Sequence, residues 1–217
     1  MIKVGIIGGV IGHHRDARQR SLDGCDHGLV VVAVLRLLPG QLHQGAADLV
    51  LDRLLDKYRH WSTYTPEERS VAVFYGSMYG DTENAVNILT SRLAEAGVKN
   101  IAVYDVSSTH VSTMIAEVFR CSHLVLAAPT YNNGVYPAML NLLHDMKALN
   151  LQNRTVALME NGSWAPSCAR QMRALLEEMK SMEILEPVVT LKSALKDDSL
   201  AQLDALRDAL IASLMSE

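Results

Sequence analysis

The segment Tyr75-Gly76-Ser77-Met78-Tyr79-Gly80-Asp81-Thr82-Glu83-Asn84 combines hydroxyl side chains with two glycines and runs directly into a helical pattern. The unpaired N–H groups of a helix's first turn, with the positive end of its dipole, form a natural phosphate site. Ser77 and Thr82 add hydroxyl donors. The loop lacks the lysine of GxxxxGK[ST] and is not GxGxxG, so it is neither a P-loop nor a dinucleotide turn. The same residues would serve a plain tight turn with Thr82 as helix cap. Asp81 is the awkward member, because a carboxylate beside a phosphate repels it unless the side chain turns to solvent, the orientation expected here. Two more polar loops stand out: Pro129-Thr130-Tyr131-Asn132-Asn133-Gly134 and Asn161-Gly162-Ser163-Trp164. Aromatic residues make up only 5% of the chain, so Tyr79 and Trp164 on such loops carry weight.

Regular elements must present these loops. Residues 70–75 form a short apolar run suited to a buried strand, and Val86, Leu89, Leu93 and Ala96 follow at helical spacing up to Gly97. Residues 101–104, 124–128, 155–159 and 188–191 predict four more strands. Helical patterns fill the gaps: residues 112–119, a stripe of Tyr136, Met139, Leu140 and Leu143, another of Ala169, Met172, Leu176 and Met179, and a closing one of Leu200, Leu203, Leu206 and Leu210. Alternating strands and helices imply an α/β fold whose parallel sheet is covered on both faces. In such sheets ligands sit above the carboxyl ends of the strands at a switch point. The loops after the first, third and fourth strands are therefore the ones of interest.

Composition narrows the function classes. The chain has 217 residues, 49% hydrophobic and 20% charged, with a formal net charge of −4. That excludes wholesale disorder and a strongly basic nucleic-acid binder. Cys25, Cys121 and Cys168 form neither a disulfide framework nor a CxxC metal site, in keeping with a cytoplasmic setting. The apolar run 29–38 contains Arg36 and ends at Pro39, at about half the ~20 residues a membrane span requires. Glycines break the N-terminal stretch and no cleavage site follows, so no secretory signal is expected.

With its preceding strand, Ser77-Met78-Tyr79-Gly80-Asp81-Thr82-Glu83 resembles the FMN-phosphate loop of flavodoxins. It is most similar to the flavodoxin-like domain of flavodiiron proteins (A-type flavoproteins), where an aromatic follows a methionine. The second loop is similar to that family's Pro-Thr-Tyr-Asn-Asn-Gly signature, and the third resembles its small-residue and aromatic loop. The resemblance covers roughly residues 46–215. It implies a flavodoxin-like, doubly wound, five-stranded parallel sheet of order 2-1-3-4-5 over residues 69–217, with FMN as cofactor. Ser77, Met78, Tyr79, Gly80, Asp81 and Thr82 would surround the phosphate. Pro129, Thr130, Tyr131, Asn132, Asn133 and Gly134 would lie along the ring and its reactive nitrogen edge, with Asn133 and Gly134 adjusting to redox state. Asn161, Gly162, Ser163 and Trp164 would border the ring, and Tyr79 and Trp164 are the candidate stacking aromatics.

Full-length flavodiiron proteins carry a metallo-β-lactamase-like domain with two irons ahead of this one. Residues 1–68 are too short for it and contain no HxExD. They read as an irregular extension with a linker helix over residues 48–61; Asp26-His27-Gly28 resembles the end of the missing domain. The remainder is a remnant, a truncated or frame-shifted start, or an apolar interaction surface that would favour a homodimer. His13, His14, His43, His60, His110, His123 and His144 show no ligand spacing, so no iron is expected. The implied function is FMN-dependent electron transfer, from a rubredoxin-like donor or an NAD(P)H-dependent reductase to an acceptor such as a diiron centre. The alternatives are an FMN-dependent NAD(P)H oxidoreductase, which needs a second cleft for the nicotinamide, and a cofactor-free flavodoxin-fold binding module. Neither a membrane nor a nucleic acid is an expected partner.

Overall fold

The computed structural model describes residues 44–216, with side chains from residue 51 onward. The readings placed on His13, His14, Cys25, Asp26-His27-Gly28, the apolar run 29–38 and His43 lie outside these residues. The chain divides into two units, Met1–Thr63 and Tyr64–Glu217. The described part of the first is helix α1 (Gln44–Ser62). Its C-terminal carbonyls are satisfied locally, with the hydroxyls of Ser62 (3.0 Å) and Thr63 (2.8 Å) both donating to Arg59 O.

In the second unit the elements follow as β1 (Glu68–Tyr75), α2 (Asp81–Glu95), β2 (Ile101–Asp105), α3 (Val111–Arg120), β3 (Cys121–Tyr131), β4 (Gly134–Val135), α4 (Pro137–Ala148), β5 (Arg154–Asn161), α5 (Cys168–Glu177), β6 (Met182–Ile184), β7 (Val189–Leu191) and α6 (Asp197–Met215). The main sheet runs β2-β1-β3-β5-β6, all parallel, with β7 pairing β5 further along. This is the doubly wound flavodoxin-like order 2-1-3-4-5, with its fifth strand in two pieces. The interruption holds Glu186 and Pro187, and a proline has no N–H to give a ladder, so it is tolerated on an edge strand. A further stub, β4, turns back antiparallel onto the end of β3.

Strand residues alternate between two buried layers, as the two-residue period of a strand requires. Phe74, Leu124, Leu126 and Leu158 face Val118 of α3, Leu142 of α4 and Met172 and Leu176 of α5. Val73, Val125, Ala157 and Met159 face Val86 and Leu89 of α2 and Leu203 and Leu206 of α6. The near-unbroken apolar runs of β1, β3 and β5 are thus explained by burial on both sides.

The amino end of the sheet is closed by buried polar groups. Arg154, 1% exposed, donates to the carbonyls of Val118 (3.0 Å), Phe119 (2.8 Å), Tyr64 (2.8 Å), Gln152 (2.9 Å) and Asn153 (3.0 Å). One guanidinium therefore caps the C-terminus of α3 and fastens Tyr64, which is why the second unit begins there. Burial lowers the Arg154 guanidinium to about 10, and it remains charged at neutral pH. Beside it, His123 is 3% exposed, with Nδ1 against Ser122 Oγ (2.7 Å) and Nε2 against Ser213 Oγ (3.0 Å).

Burial pushes the His123 imidazole down to about 4, with the Arg69 cation adding to the effect. The folded protein keeps this ring neutral where the unfolded chain, near 6.5, protonates it. Its contribution is complete above about pH 6.5 and is lost as pH falls toward 4. Urea unfolding of wild type and His123→Gln checks this: the stability gap between them should shrink by about 2–3 kcal/mol from pH 7.5 to 4.5. A gap independent of pH would contradict it.

Candidate functional site

The carboxyl ends of β1, β3, β5 and β7 surround an open cleft lined by Ser77, Met78, Tyr79, Asp81, Thr82, Pro129, Thr130, Asn161, Gly162, Ser163 and Ser193. Strand lengths create it. Tyr75 at the end of β1 pairs with Ala127, whereas β3 and β5 continue to Pro129 and Asn161. Between β1 and β3 the chain order reverses, so the cleft stands at the switch point of the sheet.

The first loop turns at Gly80, whose φ of 88° lies in the left-handed region open to glycine. Gly80 is also the N-cap of α2, and no side chain caps that helix. Thr82, expected as the cap, instead sits inside the first turn, 2% exposed. Ser77 Oγ accepts the Gly80 N–H (3.0 Å), which leaves the serine's own hydrogen to give away. Asp81 is half-buried and lines the cleft, where the sequence placed it facing solvent. It is the sole carboxylate among the lining residues, and none of them is Lys or Arg. An anion here would be held by neutral donors and a helix end.

The second helix at the cleft is built differently. The N-terminus of α5 is filled from outside: Thr130 Oγ1 accepts from Ser167 N (3.0 Å) and Cys168 N (3.3 Å), and Glu160 Oε2 accepts from Ala169 N (3.0 Å). Glu160 is 8% exposed, and its other oxygen accepts from Thr190 Oγ1 (3.0 Å). Below it, burial raises the Cys168 thiol to about 11, and the neutral S–H donates to Ala128 O (3.0 Å). The positive pole of α5 already binds the Glu160 carboxylate, whereas α2, which carries Asp81 and Glu83 in its first turn, has no side chain accepting its N-terminal N–H groups.

The second loop is a two-residue hairpin. Tyr131 pairs with Gly134, and Asn132 and Asn133 between them both have positive φ (47° and 59°), as a type I′ turn requires. The left-handed conformation thus falls on the asparagines and not on Gly134. Asn133 O accepts from Ser167 Oγ (3.2 Å) and Gln171 Nε2 (2.6 Å), which ties the hairpin to α5. Asn132, Asn133 and Gly134 stand outside the cleft lining, as do Gly80, Tyr131 and Trp164. Yet Met78, Tyr79, Tyr131 and Trp164, on three loops around it, are 43%, 89%, 44% and 98% exposed. They make up four of the seven exposed large hydrophobic side chains among the described residues, a concentration that marks this rim for contact with an apolar surface.

Three contributors were not foreseen. Glu160 carried no sequence signal beyond its place at a strand end. Ser193 follows the split fifth strand, whose loop is not one of the three singled out. Tyr136, read as part of an apolar stripe, lays its ring over Gly76 and pairs its hydroxyl with Ser107 Oγ (3.1 Å). A Cβ on Gly76 would come within 2.5 Å of that ring, whereas a Cβ on Gly134 would meet ordinary contacts, the nearest 3.4 Å away. Gly76→Ala should therefore cost about 1–3 kcal/mol in urea unfolding and Gly134→Ala no more than about 0.5. The reverse ranking would show that the Gly76–Tyr136 contact yields easily.

Known proteins place this geometry. The flavodoxin family model matches residues 73–203, more than half of the chain. The rubredoxin-oxygen oxidoreductase of Megalodesulfovibrio gigas is 23% identical over 125 residues, 58% of this chain and 31% of that protein. The solved structure of rubredoxin oxygen:oxidoreductase from Desulfovibrio gigas superposes with a TM-score of 0.69 at 18% identity, over 78% of this chain and 41% of that one. A flavodoxin from the domain Archaea superposes at 0.59 and 16% identity, over 68% of this chain and 99% of the flavodoxin. The chain spans well under half the length of its longer relatives. It belongs to the flavodoxin family, whose members bind FMN and transfer electrons.

Proposed function

We propose that this cleft holds FMN with its phosphate at the open N-terminus of α2, and that the domain relays electrons between protein partners. The observation that carries the reading is the contrast between the two helix ends: α5 is occupied by Thr130 and Glu160, and α2 is uncapped beside the hydroxyls of Ser77 and Thr82. Bound FMN supplies reversible uptake of electrons; the protein supplies position and environment. Ser77, Thr82 and the first-turn N–H groups of α2 hold the phosphate, with Met78, Gly80 and Asp81 shaping that loop. The exposed rings of Tyr79, Tyr131 and Trp164 are offered to the flavin ring, and Pro129, Thr130 and the Asn132-Asn133-Gly134 hairpin border it. Asn161 and Ser163, set beside Thr82 and Ser193, close the phosphate end together with Gly162. An anion site free of Lys and Arg leaves little positive charge to favour the electron-rich flavin, which suits a carrier that must give electrons up.

The donor in this reading is a rubredoxin-like protein or an NAD(P)H-dependent reductase, and the acceptor is a metal centre such as a diiron site. The name of the Megalodesulfovibrio relative supports the choice of donor. Residues 69–217 form the FMN unit, and residues 1–68 the extension and linker. A cytoplasmic location accords with the free, buried Cys121 and Cys168, and no described helix is long and apolar enough to cross a membrane. A homodimer through the extension completes the reading.

Fluorescence titration of the apoprotein tests the cofactor assignment. One FMN per chain should bind, and FAD should bind far more weakly. Thr82→Ala should weaken FMN by about 1–2 kcal/mol, since it removes one donor to a charged group. Unchanged affinity in that variant would move the phosphate elsewhere.

A further inference from the structure

We propose that Asn161 is a positioning residue that sets the Thr82 hydroxyl as a phosphate donor and recruits Ser193, from a fourth loop, to the phosphate end of the cleft. The proposal rests on the FMN reading above. Asn161 is the last residue of β5, 7% exposed. Its Oδ1 accepts the backbone N–H of Ser193 (2.9 Å), and its Nδ2 donates to the backbone carbonyl of Ser193 (3.1 Å). A backbone N–H can only donate and a carbonyl can only accept, so these two bonds fix which way the side-chain amide faces. The amide thus imitates a strand partner and pins a residue whose φ is 65°, outside the usual range for serine.

The orientation has a consequence for Thr82. Asn161 Nδ2 lies 3.4 Å from Thr82 Oγ1, and a nitrogen that carries two hydrogens can only donate to it. Thr82 therefore accepts from Asn161, and its own hydrogen is left for another acceptor. The hydroxyl sits in the first turn of α2 and lines the cleft, where an anion is the acceptor that fits. Ser163 and Ser193 form a second hydroxyl pair, Oγ to Oγ 2.8 Å, in the same lining. Whichever of the two accepts keeps a free hydrogen as well. With Ser77, which accepts from Gly80, the corner holds three hydroxyls (Ser77, Thr82 and whichever of Ser163 and Ser193 accepts) that each take one bond from the protein and keep their own hydrogen to donate. That arrangement discriminates in favour of a ligand with a charged phosphate over one that ends in a neutral hydroxyl.

The experiment compares FMN with riboflavin, which shares the ring and chain but lacks the phosphate, by fluorescence titration of wild type, Asn161→Ala, Thr82→Val, the double variant and Ser193→Ala. Wild type should bind FMN more tightly than riboflavin. Asn161→Ala should weaken FMN about 10-fold and riboflavin less than about 2-fold. The double variant should lose much less than the product of the single losses, because Asn161 acts through Thr82. Ser193→Ala, a small change on the surface, should weaken FMN about 3-fold and leave riboflavin alone. Equal losses for both ligands in Asn161→Ala, with multiplicative losses in the double variant, would reduce Asn161 to a structural brace and overturn the proposal. No effect of Ser193→Ala on FMN would remove the fourth loop from the site. No FMN binding by wild type would instead overturn the cofactor reading on which the proposal rests.

Discussion

Successive residues of a strand point to opposite faces of the sheet, and the last two residues of β5 use that geometry to organise both sides of the cleft. Glu160 points to the α5 side, where it accepts from Ala169 N and Thr190 Oγ1. Asn161 points to the α2 side, where it meets Thr82 and both backbone groups of Ser193. A carboxylate and an amide in adjacent positions thus do opposite things: one fills a helix end, and the other prepares a helix end for a ligand. Exchanging the two would take the carboxylate away from Ala169 N and put it against the Ser193 carbonyl, with both buried groups poorly satisfied.

The polar groups at the two ends of the sheet have different purposes. At the amino end Arg154 and His123 are buried and fully engaged, the first on five carbonyls and the second between two serines. Those bonds close the structure. At the carboxyl end the bonds stop one step short, with Ser77, Thr82 and the uncapped first turn of α2 bordering the open cleft. The exposed Tyr79, Tyr131 and Trp164 continue the same logic in apolar terms, since a monomer seldom spends large rings on solvent. On the proposed reading, stability and binding are divided between opposite ends of one sheet.

Much of this was legible in the sequence, and for identifiable reasons. The three central strands are buried on both faces, so β1, β3 and β5 show as short apolar runs. Loop motifs in the order Ser-Met-Tyr-Gly-Asp-Thr, Pro-Thr-Tyr-Asn-Asn-Gly and Asn-Gly-Ser-Trp pointed to the family and to ten of the eleven cleft-lining residues, Ser193 being the one unforeseen. Roles within the motifs were harder to read. Thr130 belongs to the ligand loop by sequence, but its hydroxyl oxygen caps α5, a contact across 37 positions that no local pattern announces. The positive φ values fall on Asn132 and Asn133 because the hairpin turn has two residues, and that follows from strand pairing. Ser193 was invisible because a lone serine after an interrupted edge strand resembles any loop serine. Its importance comes from Asn161, 32 positions away.

In the proposed complex the uncapped end of α2, and not the filled end of α5, receives the ligand phosphate, with the Thr82 hydroxyl set by Asn161. A crystal structure of the full chain loaded with FMN measures this directly. The account predicts phosphate oxygens within hydrogen-bonding distance of Thr82 Oγ1, Ser77 Oγ and the first-turn N–H groups of α2, with the Asn161–Ser193 bonds intact. A phosphate seated at the N-terminus of α5, with Glu160 displaced from Ala169 N, would contradict it.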